Sequence, residues 1–185
     1  MIAVTQLRRG VTFEVDGMLF KVLEYDHYKP GRGGAIIRTK LRNMRTGANI
    51  NRTFNSGDRV QDVRLDHQTV QYMYNDGEMY YFMDVETFEQ PALPKEVLVD
   101  VVDFLKEGDN LELELYEGEP IEVEVPINVE LEVIDAEPGY AGDTATGATK
   151  GVTLETGYKL QVPLFVERGD TLRIDTRTGE YLTRV

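Results

Sequence analysis

The 185-residue chain contains no cysteine and only two histidines, His27 and His67. Without thiols there is no disulfide framework, no thiolate metal ligand and no cysteine nucleophile. Neither imidazole stands in a His/carboxylate cluster at ligand spacing, so no metal and no cofactor is expected. No apolar run approaches the roughly 20 residues needed to span a bilayer. The first residues, MIAVTQLRRG, show no basic segment followed by an apolar one. These absences lead to the expectation of a soluble, cytoplasmic protein without a membrane partner. Helical periodicity is also scarce. Only residues 95–106 carry it, with Pro94 ahead, Gly108 behind, and Val97, Leu98, Val101, Val102 and Leu105 on one predicted face.

What is abundant is strand-like alternation. It recurs at 11–15, 19–25, 36–41, 69–74, 80–83, 111–116, 121–125, 129–134 and 172–175. Asp16-Gly17, Thr46-Gly47, Asn75-Asp76-Gly77, Glu117-Gly118 and Thr178-Gly179 supply turn signals between the runs. Many short strands separated by turns predict an all-β protein made of small barrels. An internal repeat sharpens this. GDNLELELYEGEPIEV from Gly108 and GDTLRIDTRTGEYLTR from Gly169 align at Gly108/Gly169, Asp109/Asp170, Leu111/Leu172, Leu113/Ile174 and Gly118/Gly179. Two hairpins of one design predict two copies of one barrel.

Charge divides the chain as well. Residues 1–65 hold 12 Lys/Arg against 6 Asp/Glu, residues 66–126 hold 2 against 17, and residues 127–185 hold 6 against 10. The expected organisation is three β-domains with those boundaries. A basic first third on a chain of net charge −13 predicts one anion-binding face. Carboxylates of the middle third alternate with apolar residues, as in Leu111-Glu112-Leu113-Glu114-Leu115. They read as a solvated strand face opposite a core face.

The first third also holds KPGRGGA at residues 29–35, between two strand-like runs. It reads as the loop of a long β-hairpin, with glycines expected at positive φ and free of side-chain bulk. Arg32 stands among Pro30, Gly31, Gly33 and Gly34. A guanidinium, always charged and with a planar fork of donors, suits phosphate and ribose oxygens on such a slender tip. GDTATGATK at residues 142–150 fails as a phosphate-binding loop, because Ala148 and Thr149 separate Gly147 from Lys150 and no helix follows. As a long hydroxyl-rich loop it remains a candidate contact. No nucleophile–base pair or dinucleotide motif can be assembled, so no enzyme is expected.

Several segments resemble the elongation factor P family from end to end. They are KPGRGGAIIRTKLRNMRTG, RTFNSGDRV, YFMDVETFEQ, GDTATGATK and LETGYKLQVPLFVERGD. The last stretch carries the family's signature positions Gly157, Leu160, Val162, Pro163, Val166 and Gly169 after Lys150; Val152 stands where the family usually has alanine. The resemblance implies an SH3-like or KOW-like domain followed by two OB-folds, in an L of tRNA-like shape. It implies a monomer that binds the ribosome through both subunits, between the P and E sites, and relieves stalling at consecutive prolines. Arg32 and its neighbours Pro30, Gly31, Gly33 and Gly34 match the tip that meets the CCA end of peptidyl-tRNA at the peptidyl-transferase centre. Gly142, Asp143 and Thr144 match the loop that approaches the small subunit near the E site. Family members can carry a modification at the tip, installed by a dedicated enzyme. Here no lysine stands at the tip, and Pro30 restricts the loop. A bare Arg32 is therefore the expectation, with rhamnosylation the alternative. A stand-alone RNA-binding module is the competing function.

Overall fold

The structure is a computed structural model and describes residues 1–29, 31, 34–139 and 147–185. Three antiparallel sheets follow one another along the chain. The first contains β1 (Ile2–Ala3), β2 (Thr12–Val15), β3 (Met18–Tyr28), β4 (Ile36–Asn43), β5 (Asn49–Asn55) and β6 (Arg59–Asp62), in the order β1-β6-β2-β3-β4-β5. The second contains β7 (Asp66–Asn75), β8 (Met79–Asp84), β9 (Ala92–Pro94), β10 (Asn110–Tyr116) and β11 (Glu119–Glu124), in the order β11-β10-β7-β8-β9. The third contains β12 (Asn128–Ala136), β13 (Thr149–Leu154), β14 (Lys159–Pro163), β15 (Thr171–Asp175) and β16 (Glu180–Arg184), in the order β14-β13-β12-β15-β16. In the second and third sheets the edge strands approach each other, β9 against β11 and β14 against β16, curling each toward a barrel. The all-β architecture expected from the sequence is the observed one.

Each sheet encloses its own apolar core. Phe13, Phe20, Val22, Ile37 and Leu41 fill the first; Val70, Phe82, Leu98 and Leu113 the second; Leu131, Val133, Leu154, Val162 and Leu172 the third. The hairpin turns use the residues that left-handed backbone demands. Asp16 and Gly17 have φ of 55° and 73°, and Glu117 and Gly118 have 51° and 82°, the mirror-image turn that matches strand twist.

The sequence repeat extends beyond its hairpins. Gly108 N–H donates to the Tyr72 carbonyl and Gly169 N–H to the Val133 carbonyl, both at 2.8 Å; Tyr72 and Val133 donate back to Asp109 and Asp170 at 3.0 and 2.9 Å. Leu111 pairs with Val70 as Leu172 pairs with Leu131. Even the irregularity is copied, since the ladder to the next strand slips between Tyr72 and Tyr74 and again between Val133 and Asp135. One barrel plan is built twice.

One expectation fails. Residues 95–106 form no continuous helix; they contain two 3-10 turns, Lys95–Val97 and Val102–Phe104. Val97, Val99, Val101 and Val102 are β-branched and lose rotamer freedom in an α-helix. The burial of the segment also has no single face. Val97, Leu98 and Leu105 sink into the second core, whereas Phe104 turns the other way into the third. This strap therefore joins two barrels, and the short turns let it do so.

Candidate nucleic-acid interface

The candidate finger is the far end of the β3–β4 hairpin. Pairing runs out to Tyr28 opposite Ile36, and β5 accompanies β4 as far as Asn55 opposite Ile36. Ser56 N–H caps the stem by donating to the Ala35 carbonyl at 2.9 Å. Along β3 the alternation of buried and exposed residues stops after Tyr25, and Asp26, His27 and Tyr28 are all exposed. This two-sided exposure belongs to β3, whereas on β4 Ile37, opposite His27, is still buried in the first core. Gly31 and Gly34 are exposed, and a Cβ added to either would meet nothing. Their lack of a side chain keeps this end of the hairpin narrow. Pro30, Arg32 and Gly33 lie outside the described residues.

Cations line the finger below the tip. The Arg38 guanidinium lies 5.1 Å from the Tyr28 ring centroid, and that of Arg52 lies 5.2 Å from Phe54. With Lys40, Thr39 and Asn51 these two arginines border a concavity of about 440 Å³ across β3, β4 and β5. Lys40 pairs with Glu24 at 3.1 Å and Arg52 with Asp16 at 2.9 Å, both against exposed carboxylates. Such pairs are worth little, about 0–1 kcal/mol. These pairs would therefore cost little to exchange for another anion.

Other cations of the first third have a different use, which the sequence reading missed. Lys21 meets Glu122 at 2.5 Å, Arg42 meets Asp100 at 2.5 Å, and Arg45 meets Glu119 at 3.0 Å. Tyr116 O–H donates to Glu14 at 2.9 Å. Beneath these contacts Leu19, Met44 and Ile121 form an apolar cluster with Val63 and Leu65 packed against it. Part of the charge asymmetry is thus complementarity between two barrels. The middle carboxylates are also not uniformly solvated. Glu114 is 7 % exposed. Burial raises the pKa of its carboxyl; the nearby Lys21 ammonium opposes that shift, and Glu122 adds to it. For Lys21 itself, burial pulls the pKa down, but the Glu122 charge and hydrogen bond outweigh this and leave it raised. A Leu-Glu alternation cannot reveal which carboxylate an adjoining barrel will cover. The only sequence signal was the abrupt reversal of charge at residue 65.

Gly142, Asp143 and Thr144 of the second candidate site lie outside the described residues. The base of that loop is firmly held. Lys150 is buried and pairs with Glu167 at 3.3 Å, and Gly151 N–H donates to Glu137 at 3.1 Å. A side chain at Gly151 would collide with that carboxylate. Of the signature positions, Leu160, Val162 and Val166 are core, while Gly157 and Gly169 turn at φ of 88° and 90°. The signature keeps the barrel together. Among the described residues no group of His, Asp or Glu is placed to hold a metal ion, and no helix is long and apolar enough to cross a membrane.

Three family models match in chain order. They are the elongation factor P KOW-like domain at residues 3–60, the elongation factor P OB domain at 65–123, and the elongation factor P C-terminal domain at 129–184. The chain is 54 % identical over 184 residues to elongation factor P of Moorella thermoacetica, the match covering 100 % of both. It belongs to the elongation factor P family. Elongation factor P of Acetivibrio thermocellus is 51 % identical over 185 residues, again covering 100 % of both. Membership assigns a translation elongation role, in a family of translation factors rather than enzymes. The fold has a more distant likeness, at TM-score 0.51 and 22 % identity, to eukaryotic translation initiation factor 5A from Methanococcus jannaschii. That likeness covers 66 % of this chain and 90 % of the other.

Proposed function

We propose that the chain acts on the ribosome between the P and E sites, with the finger tip at the peptidyl-transferase centre beside the CCA end of peptidyl-tRNA. The observation that carries this reading is the finger itself, a hairpin whose β3 strand is exposed from Asp26 to Tyr28, flanked by Arg38, Lys40 and Arg52 and followed by side-chain-free glycines. Arg32, held among Pro30, Gly31, Gly33 and Gly34, steadies the terminal nucleotides. Proline is a poor participant in peptide transfer because its ring fixes φ and its amine is secondary. Positioning supplied from outside lowers that barrier, which accounts for relief of stalling at consecutive prolines. Gly142, Asp143 and Thr144 reach toward the small subunit. Domains 1–65, 66–126 and 127–185 form the arms of an L, and the protein works as a cytoplasmic monomer with Arg32 unmodified.

The test is Arg32→Ala in a reconstituted translation system reading a proline run. The variant should fold as the wild type does and lose most of the rescue; equal rescue refutes the reading. Co-sedimentation separates it from a stand-alone RNA-binding module, since only the translation factor requires a ribosome carrying peptidyl-tRNA. Intact mass of the native protein decides the modification: an added deoxyhexose on the Arg32 peptide would show the tip is not bare.

A further inference from the structure

Three non-glycine residues among those described have positive φ: Asp16, Glu117 and Phe88. Asp16 and Glu117 are each followed by glycine in a two-residue hairpin turn, where that conformation is required. Phe88, at φ 61°, has no such partner. A bulky side chain in the left-handed region is an outlier whose Cβ crowds the backbone. The ring gains nothing in return from the fold, because Phe88 is 69 % exposed.

The third barrel shows the relaxed solution. Its corresponding connection, between β13 and β14, places Gly157 at φ 88°, directly after Thr156, whose hydroxyl accepts from the next N–H, that of Tyr158. In the second barrel Thr87 precedes Phe88, and its hydroxyl accepts from Glu89 N–H in the same manner. The turn is fixed from several sides. Asp84, itself buried, accepts from Thr87 N–H at 2.7 Å and Glu86 N–H at 2.8 Å, while Phe88 N–H donates to the Asp84 carbonyl at 3.0 Å. These contacts hold an unfavourable conformation that glycine would adopt freely, and the outcome is a phenyl ring fixed in solvent. Strain maintained by its surroundings, without a packing gain, points to a role outside the fold.

The surroundings define the partner. Glu86 and Glu89, close to Phe88 in sequence, are exposed, and residues 66–94 contain no Lys or Arg at all. Polyanionic RNA is repelled from such a surface. We infer that Phe88 is an anchor that inserts into an apolar pocket rimmed by Lys and Arg on a basic protein surface. An aromatic anchor within a ring of complementary charge is the usual composition of an interaction hot spot. Since the chain is proposed to work on the ribosome, the inference rests on that reading, and the basic protein is a ribosomal one.

The experiment uses purified ribosomes carrying peptidyl-tRNA and the full chain. Phe88→Gly should raise the melting temperature or leave it unchanged, since glycine relieves the backbone, yet weaken ribosome binding about tenfold or more. Phe88→Tyr should restore binding. A photo-crosslinking benzoylphenylalanine at position 88 should attach to a ribosomal protein rich in Lys and Arg. Unchanged affinity of Phe88→Gly, or crosslinks to RNA alone, overturns the anchor while leaving the ribosome reading intact. Failure of the wild-type chain itself to bind ribosomes would overturn both.

Discussion

Removing the Phe104 ring tests whether the strap is a structural member of two barrels at once. Phe104 belongs by sequence to the connection that closes the second barrel, yet it is 6 % exposed within the third core. Its ring meets Tyr158 edge-on at 5.3 Å between centroids, and Tyr158 O–H is tied to the Gly179 carbonyl at 3.0 Å. Phe104→Ala deletes the ring from a site anchored on the far side, so the gap cannot readily close. Truncations of this kind cost about 3–5 kcal/mol. The remaining polar link, Lys106 to Glu155 at 3.0 Å, is partly exposed and worth at most about 1 kcal/mol. It cannot compensate.

The loss should be local. Native-state hydrogen exchange should show amides of β12, β13 and β15 losing protection by about two to three orders of magnitude, at roughly 1.4 kcal/mol per factor of ten. Amides of β7, β8 and β10 should change far less, since their core does not contain the ring. Spin labels on the second and third barrels should report a broader distance distribution. A loss confined to the second barrel, or one shared equally by all three, would refute the assignment of Phe104 to the third core. So would a total effect below about 1 kcal/mol, the scale of an ordinary surface change.

Other consequences follow from the junction and the finger. Glu114→Gln should stabilise the protein at neutral pH: a raised pKa stabilises the fold below the unfolded carboxyl value and loses that contribution as pH rises through the folded one. The variant's advantage in thermal melts should shrink toward zero below about pH 4, where both forms are neutral; a constant difference across pH would refute the cause. Gly47→Ala should cost well over about 1 kcal/mol, because left-handed strain is joined by collision with the Glu96 carbonyl, whereas Gly17→Ala meets only the strain. Equal melting temperatures for the two would show that the junction is not close-packed there. Arg38→Ala should reduce the slope of log affinity against log salt for ribosome binding by about 1. Arg45→Ala, which loses only its pair with Glu119, should leave that slope unchanged.

Much of the fold was legible because strand alternation and turn chemistry are local. Met18–Tyr28 and Ile36–Asn43 announce themselves by period-two apolar residues, and Asp16-Gly17 and Glu117-Gly118 by the backbone they require. Strands β5 and β6, reading NINRTFN and RVQD, carry one clearly buried residue each and have no such pattern. They are strands because neighbours supply their hydrogen bonds. The finger was visible as composition, three glycines around one arginine between two strand-like runs. The junctions were least legible. Lys21 is far in sequence from the hairpin that carries Glu114 and Glu122, and nothing local distinguishes a carboxylate that faces water from one that faces another barrel.

The two junctions differ in a way that bears on how such a factor works. Between the first and second barrels stand an apolar cluster, three ion pairs and the Tyr116–Glu14 hydrogen bond. Between the second and third stand the Phe104–Tyr158 contact and the Lys106–Glu155 pair, beside a cavity of about 590 Å³ bordered by Tyr72, Tyr80 and Glu155. One strap serves both: Asp100 is bound by Arg42, Glu96 backs onto Gly47, and Phe104 plugs the third core. If the finger steadies a reactant as proposed, it must not swing on its mount, because a displacement of about 1 Å costs on the order of 10²-fold in rate. The tighter joint is therefore the one behind the finger. The joint with fewer contacts lies on the far side of the second barrel from the finger, where Phe104 is the buried plug and Lys106–Glu155 the partly exposed ion pair.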